Sequence, residues 1–284
     1  MAYDWRRVVR NYAPERLYRG LSQAVNGPPP WEPGVELPPP PTPDGMVTGP
    51  PDLIGVGAQK AGTSWWHTLI HAHPDAWHAD RIEKERHFFA RFSHRPFEDR
   101  HVEEYARWFP RPEGKITGEW TPNYLLHFWT PPLLDRAAPA AKILVMLRDP
   151  VERYRSGLQH YQDRQLPADA RLASEAFHRG LYRDQMRWLA QHVDRKRILV
   201  LQFEVCAAEP EQELARTYRF LGVDDGFVPD VLREKVNRAR SERPPMDPAL
   251  RAELVALYRD QVDGLVADGW PIDPSRWRNF AGGG

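Results

Sequence analysis

Apolar residues along this chain form short continuous runs, separated by longer stretches in which they recur every three or four positions. The short runs have the length of buried strands and lie at Leu53–Gly57, Lys142–Leu147 and Arg197–Phe203, with a shorter one at Lys115–Gly118. The longer stretches predict helices at Val102–Trp108, Val151–Tyr161, Ala173–Val193, Glu209–Leu221 and Pro248–Val266. Strands that alternate with helices predict an α/β domain of three layers around a mainly parallel central sheet.

Proline changes this picture in the first 51 residues. Eleven of the 29 prolines fall between Pro28 and Pro51, and each proline fixes φ and removes a backbone donor. We therefore predict an extended, polyproline-like chain over residues 28–51. Residues 1–27 predict a short helical segment before it, and residues 52–284 are predicted to form the main domain.

Composition and charge narrow the classes of function. The 284 residues include 39 Lys and Arg and 39 Asp and Glu, a formal net charge of +0, which disfavours a nucleic-acid partner. Residues 148–197 and 231–251 each hold a local basic excess, which the rest of the chain offsets. The single cysteine, Cys206, excludes a disulfide framework and a multi-cysteine zinc site.

The apolar runs also bear on location. None of them is long enough to span a membrane, and the first residues lack the apolar core of a signal peptide. We therefore expect a cytoplasmic protein without a membrane span. No feature of the sequence indicates an oligomeric state.

The turn after the first strand has the composition of an anion-binding loop. Gly57 and Gly62 allow the backbone to turn and to approach a ligand closely. The N–H groups of Gly62, Thr63 and Ser64 are predicted at a helix N-terminus, where the dipole favours negative charge. Lys60 adds an ammonium group, but it precedes the last glycine, unlike the lysine of the nucleoside-triphosphate loop. The alternative is an ordinary strand-to-helix turn capped by Thr63 or Ser64.

A second candidate binding motif follows the strand at residues 142–147. Asp149 suits a helix N-cap, Pro150 suits the first helical position, and Glu152 completes a capping-box spacing. This structural account leaves Arg148 and Ser156 unexplained. The planar guanidinium of Arg148 suits a phosphate group, and the Ser156 hydroxyl suits a hydrogen bond to the same group.

Together these motifs resemble the sulfotransferases that use 3′-phosphoadenosine 5′-phosphosulfate (PAPS), and among them the branch with the heparan sulfate sulfotransferases. Residues 59–65 look like the family's 5′-phosphosulfate loop, and residues 148–156 look like its 3′-phosphate motif. Three further matches, KERHFF at 84–89, GEWTP at 118–122 and VER at 151–153, occur in the family's order. The resemblance covers residues 52 to about 278 and implies the P-loop-NTPase-like sulfotransferase fold.

The resemblance implies a role for each matched residue. Lys60 would stabilise charge on the leaving oxygen, Glu85 would be the general base, and His87 would be its active-site neighbour. Glu85, His87 and Trp120 would contact the acceptor. The residues implied to bind the cofactor are Lys60, Ala61, Gly62, Thr63, Ser64, Trp65, Arg148, Ser156, Tyr182, Arg238 and Arg240. PAPS would be the sulfuryl donor, adenosine 3′,5′-bisphosphate (PAP) the product, and no metal ion is implied.

Two positions depart from the pattern of this branch. Ala90 stands where the branch usually has an acidic residue, and Trp120 stands where it often has lysine. Both positions face the acceptor in the family. We therefore expect the cofactor chemistry to be retained and the acceptor to be a sugar, glycolipid or natural product rather than a polyanionic heparan chain. Trp120 is expected to line the acceptor site.

Other assignments remain open from the residues alone. Glu85 lies in the charged run 81–86, which by itself is more typical of a solvated surface, and His160 and Glu119 are alternative bases. A small-molecule kinase on a related fold is the second hypothesis, disfavoured because the lysine–Ser/Thr ending of its loop is missing. An inactive nucleotide-binding protein is the third, disfavoured by the complete set of candidate site residues.

Overall fold

The central sheet has four parallel strands in the part of the chain that the computed structural model describes, residues 38–39, 41–78, 84–163, 169–233 and 245–282. The strands are β1 Leu53–Gly57, β2 Gly118–Trp120, β3 Lys142–Leu147 and β4 Ile198–Gln202, in the order β2-β1-β3-β4. Every residue of β1 and β4 is buried. Because side chains alternate between the two faces of a sheet, both faces must be covered. The predicted three-layer α/β class is confirmed.

The shortest predicted strand is displaced along the chain. β2 comprises Gly118–Trp120 rather than Lys115–Gly118, and Ile116 forms an isolated bridge with Ala76. Pairing with β1 begins where Gly118 lies opposite Leu53. An added Cβ on Gly118 would lie 1.9 Å from the Leu53 carbonyl oxygen, so the close approach of these strands requires glycine there.

The helices follow the predicted order, but one predicted helix is divided in two, and the helices at Thr130–Ala137 and Phe203–Ala208 were not predicted. They are α1 Thr63–His71, α2 Asp99–Ala106, α3 Thr130–Ala137, α4 Pro150–Asp163, α5 Ala170–His178, α6 Tyr182–His192, α7 Phe203–Ala208, α8 Pro210–Leu221 and α9 Pro248–Ala267. The single helix predicted over 173–193 is wrong, because the chain turns between α5 and α6. Gly180 lies in this turn against Tyr258, whose ring would be 2.7 Å from an added Cβ. Within the described ranges, no helix has both the length and the apolar composition needed to cross a bilayer.

Helices α1 and α8 pack together through buried polar contacts. The indole of Trp66 donates to Thr217 Oγ1 at 3.0 Å, and the hydroxyl of Tyr218 donates to the carbonyl of Leu69 at 2.7 Å. Trp66 and Tyr218 are fully buried. These contacts fix α1, and with it the loop that joins β1 to α1.

The amino-terminal segments are described over a short stretch. The predicted helical segment 1–27 lies outside the described residues, as do residues 28–37 and 40 of the proline-rich segment. Val47 forms an antiparallel bridge with Arg111. The Arg111 guanidinium also donates to the carbonyl oxygens of Gly49 and Pro50. The end of the proline-rich segment is therefore tied to the main domain.

Candidate active site

The loop between β1 and α1 presents a helix N-terminus at the carboxyl end of β1. Helix α1 begins at Thr63, and Gly62 precedes it with a φ of 96° and no side chain to cap the helix. The first N–H groups of a helix lack intrahelical acceptors and lie at the positive end of its dipole. An added Cβ on Gly62 would lie 2.5 Å from the Phe203 ring, so glycine is required for conformation and for space. Because Gly62 occupies the cap position, the alternative of a cap at Thr63 or Ser64 is wrong.

Two predicted catalytic residues have a backbone conformation that is rare outside glycine. Among the described residues, Lys60 with a φ of 68° and His87 with a φ of 52° are the non-glycine residues in the left-handed region. Such a conformation costs about 1–3 kcal/mol and collects at functional sites, where the surrounding structure maintains it. The strain therefore supports a functional role for both residues.

Arg148, at the carboxyl end of β3, connects the two predicted phosphate motifs. Its Nη1 donates to the Lys60 carbonyl at 3.2 Å, and its guanidinium carbon lies 4.9 Å from the centroid of the Phe203 ring. Phe203 also packs edge-on against Trp65, with 6.4 Å between ring centroids. One ring thus supports Gly62, Trp65 and Arg148. Sequence reasoning missed Phe203, because nothing near it in the chain indicates contact with the loop.

The start of α4 is capped as predicted, but with a different second partner. Asp149 Oδ1 accepts from the N–H groups of Val151 at 3.0 Å and Glu152 at 3.2 Å. The N–H of Asp149 donates to Glu204 Oε1 at 3.0 Å, so the capping-box role predicted for Glu152 is wrong. The Glu152 carboxylate instead forms an ion pair with Arg278 at 2.9 Å. The cap is built from segments that are distant along the chain.

Of the other residues predicted to bind the cofactor, two are buried and two lie outside the described part of the chain. Ser156 lies on α4 and is buried, and Tyr182 is fully buried on α6. The Tyr182 hydroxyl donates to the Arg148 carbonyl at 3.0 Å. This burial conflicts with the predicted cofactor contact of Tyr182, which instead supports the end of β3. Arg238 and Arg240 lie outside the described residues.

Lys84 joins the loop to the candidate base. Its Nζ donates to Thr63 Oγ1 at 3.2 Å and to Ser64 Oγ at 3.1 Å, and it lies 3.2 Å from Glu85 Oε1. Burial lowers the pKa of Lys84, and the adjacent Glu85 carboxylate opposes this effect. Sequence reasoning missed Lys84 as a site residue, and its position next to Glu85 was the available signal.

Glu85 and His87 complete this cluster. His87 Nε2 lies 3.3 Å from Glu85 Oε2. Burial acts to raise the pKa of Glu85, but the hydrogen bond from His87 and the charge of Lys84 outweigh it and hold this pKa below its ordinary value. The Glu85 side chain is ionised at neutral pH and 39% exposed. It is therefore an accessible carboxylate within a defined cluster, rather than one charge on a solvated surface.

Trp120 is a core residue. Its side chain is fully buried, and its indole donates to the Gly57 carbonyl at 3.2 Å. An added Cβ on Gly55 would lie 2.1 Å from the indole, and one on Gly57 would lie 2.5 Å from Leu125. The β1 glycines therefore make room for neighbouring side chains, which corrects the turn role predicted for Gly57. The burial of Trp120 conflicts with its predicted contact with an acceptor.

Three histidines form a cluster away from the loop, two of them on α1 and the third after it. The ring centroids of His67 and His71 lie 4.3 Å apart, and His78 lies 5.3 and 5.0 Å from them. Burial, followed by the charge of His78, lowers the pKa of His71 to about 3. Burial also lowers the pKa of His67 well below its ordinary value. In the described part of the chain, no group of three or more His, Cys, Asp or Glu residues is arranged to hold a metal ion.

Comparison with known proteins assigns this chain to a family. The model described as "Sulfotransferase family" matches residues 78–229, more than half of the chain. The chain belongs to the sulfotransferase family. The matched range includes the Lys84–His87 cluster and Arg148, whereas the loop at 59–64 precedes it.

Relatives and solved structures of sulfotransferases support this assignment. Heparan sulfate glucosamine 3-O-sulfotransferase 3B1 of Homo sapiens is 27% identical, over 73% of this chain and 56% of its own length. Heparan sulfate glucosamine 3-O-sulfotransferase 3A1 of Mus musculus is 29% identical, over 61% of this chain and 46% of its own length. The chain thus spans about half the length of these curated relatives.

A sulfotransferase from Alicyclobacillus acidocaldarius, known from its crystal structure, is similar to this chain over most of its length. The two superpose with a TM-score of 0.66 at 26% identity, covering 80% of this chain and 98% of that chain. The predicted P-loop-like sulfotransferase fold is confirmed.

Proposed function

We propose that this protein transfers the sulfuryl group from PAPS to a hydroxyl group of a small or amphipathic acceptor. The observation that carries the proposal is the position of Lys84, whose ammonium contacts the hydroxyls of Thr63 and Ser64 and the carboxylate of Glu85. An anion-binding loop and a candidate base therefore meet at one point. An in-line transfer requires this proximity between a bound anion and an activated hydroxyl.

The residues present suit a donor with two separate anionic groups. The α1 N-terminus and the hydroxyls of Thr63 and Ser64 suit the 5′-phosphosulfate, since they offer several hydrogen-bond donors. Arg148 and Ser156 would hold the 3′-phosphate beyond the carboxyl end of β3, where parallel sheets bind ligands. The glycine required at Gly62 fits a loop that a ligand approaches closely.

The chain's own residues supply the remaining chemistry. PAPS, when bound, provides the sulfuryl group. Ionised Glu85 accepts the proton of the acceptor hydroxyl, and His87 orients the carboxylate through its 3.3 Å contact. Lys60, Lys84 and the N–H groups of α1 offset negative charge on the leaving oxygens, by analogy with phosphoryl transfer.

The acceptor is part of the proposal. The curated relatives are named for heparan sulfate glucosamine, which supports a sugar hydroxyl as the acceptor group. A long polyanion needs a broad basic surface, and the formal net charge of +0 argues against one. We therefore favour a sugar, glycolipid or hydroxylated natural product.

Sulfuryl transfer from PAPS to a panel of hydroxylated acceptors tests the proposal. We expect turnover by the unmodified protein, with kcat lower by about 10²–10⁴ in Glu85→Gln, because a general base contributes this much. Lys60→Ala is expected to lower kcat by about 10² or more, since it removes charge stabilisation. Calorimetry is expected to show PAP binding that Glu85→Gln leaves within about threefold, because Glu85 acts on the acceptor.

Other outcomes would separate the alternatives. Binding of ATP with magnesium but not of PAP would contradict the proposal and favour the kinase hypothesis. PAP binding without turnover of any acceptor would favour an inactive nucleotide-binding protein. A cytoplasmic location is also proposed, and fractionation of cells that express the protein tests it.

A further inference from the structure

A second carboxylate accepts a hydrogen bond from the backbone of Arg86, the residue after the candidate base. Glu119, on β2, is fully buried and accepts four hydrogen bonds. The donors are Thr121 Oγ1 at 2.5 Å, the Tyr105 hydroxyl at 2.6 Å, the Arg86 N–H at 3.0 Å and the Tyr124 hydroxyl at 3.2 Å. Both oxygens are therefore engaged inside the protein, and neither is presented to a substrate.

These contacts fasten the segment that contains Glu85. The Arg86 N–H donates to Glu119 Oε2, the His87 N–H donates to Thr121 Oγ1 at 3.3 Å, and the Trp120 N–H donates to the Lys84 carbonyl at 2.9 Å. The corner formed by residues 119–121 thus binds Lys84, Arg86 and His87, which flank the base. The left-handed backbone of His87 is one of the conformations that this corner maintains.

We propose that Glu119 is a positioning residue, which acts with Thr121 to fix residues 84–87 so that Lys84 faces the loop and Glu85 faces the acceptor. The inference rests on the proposed function, in which Glu85 takes the proton. It rejects Glu119 as an alternative base, since a fully buried carboxylate cannot contact an acceptor hydroxyl. Because Glu119 acts through accepted hydrogen bonds, a neutral side chain of the same shape should replace it with modest loss.

Four variants test this role through kinetics. Glu119→Gln keeps an oxygen that can accept from the Arg86 N–H, and we expect kcat to fall less than about tenfold. In Glu85→Gln, kcat should fall by a factor of about 10²–10⁴. Thr121→Val has the same shape without the hydroxyl, and we expect kcat about tenfold lower with KM for PAPS within about twofold, because a small misplacement lowers kcat. Thr121→Ser should restore kcat.

Amide hydrogen exchange over residues 84–89 gives a readout that needs neither PAPS nor an acceptor. We expect slow exchange in the unmodified protein and in Glu119→Gln, and exchange about tenfold faster in Thr121→Val. Tyr105→Phe is the matched control, since it removes only the hydrogen bond to the other oxygen of the same carboxylate and keeps the ring that packs on Phe88 and Phe89. It should lower stability without changing exchange at 84–89 or the pH profile of kcat/KM.

The outcomes distinguish this inference from the proposed function. If Glu119→Gln were as inactive as Glu85→Gln while exchange at 84–89 stayed slow, Glu119 would handle the proton and the inference would be overturned. Unchanged exchange and kcat in Thr121→Val would overturn it as well. If the unmodified protein transferred no sulfuryl group, the proposed function would be refuted. Faster exchange in Thr121→Val would then still support the role of residues 119–121 in positioning the segment at 84–87.

Discussion

The donor side and the base side of this site are built in opposite ways. The loop at residues 59–64 is continuous in the sequence, and its backbone conformation at Gly62 and the start of α1 determines its shape. The base segment at 84–87 has no regular secondary structure and is held by hydrogen bonds with residues 119–121. The first kind of site is therefore recognisable from local sequence, whereas the conformation of the second depends on partners far along the chain.

Replacement of Gly62 should disturb the donor side through both its backbone conformation and its packing. Gly62→Ala places a Cβ in a left-handed backbone and within 2.5 Å of the Phe203 ring. We expect the free energy of unfolding to fall by about 2–4 kcal/mol, from backbone strain and overpacking together. PAP affinity should fall by about tenfold or more, because the N–H groups shift. Urea unfolding and calorimetry measure the two effects.

Gly222 provides the matched control for this variant. Its φ is 83°, but an added Cβ would meet nothing within 4 Å. Gly222→Ala should therefore lower the free energy of unfolding only through its left-handed backbone, by about 1 kcal/mol, and leave PAP affinity unchanged. Equal losses in the two variants would show that contact with Phe203 contributes nothing.

A smaller effect is expected at Lys84, where the two sides meet. Lys84→Met removes the charge that helps to hold the pKa of Glu85 below its ordinary value, so this pKa should rise. Glu85 must be ionised to act as a base, and the acidic limb of kcat/KM should therefore move to higher pH. Donor affinity should fall by about tenfold, since Lys84 no longer faces the bound anion.

Lys115→Met controls for the loss of a lysine. Lys115 forms a 2.9 Å ion pair with Asp75, and both side chains are partly exposed. Because an exposed ion pair contributes little, we expect little change in stability and no movement of the acidic limb. If the acidic limb of kcat/KM did not move in Lys84→Met, the proposed link between the loop and the base would be contradicted.

The smallest effect concerns α1, which supports the donor side. The pKa of His71 is about 3 in the folded protein and about 6.5 when unfolded, so the unfolded chain binds a proton first as pH falls. Stability is therefore full above pH 6.5 and is lost as pH falls toward 3. Between pH 7 and pH 5 we expect a loss on the order of 1 kcal/mol, which His71→Phe should reduce. Urea unfolding at both pH values measures this loss.

The exposed residue His94 serves as the control for His71. His94→Phe should retain the full loss of stability between pH 7 and pH 5, because it leaves the buried ring in place. If His71→Phe lost as much stability as the unmodified protein, burial of His71 would not explain the pH dependence.

Much of the fold follows from neighbouring residues and could therefore be predicted. The buried runs at 53–57 and 142–147 became strands, and Gly62 became the residue before α1. The single predicted helix at 173–193 failed at Gly180, where the chain turns and packs closely against Tyr258. That contact joins residues far apart in the sequence and leaves no periodic signal.

The candidate site shows the same limit. The family resemblance places Trp120 at the acceptor site, and tryptophan suits binding surfaces as well as cores. Its burial against Gly55 decides between these environments. Phe203 could not be assigned from sequence, since its contacts with the donor loop arise only when the strands assemble, whereas the position of Lys84 beside Glu85 was a local signal.

The bond from Arg148 to the Lys60 carbonyl, with the shared Phe203 ring, has a consequence for ligand selection. These contacts join the two proposed anion-binding elements within the protein itself, so the entropy cost of ordering them arises during folding rather than on binding. The distance between the two elements is consequently fixed before a nucleotide arrives. Nucleotides should then be discriminated by the spacing of their anionic groups rather than by the total charge they carry.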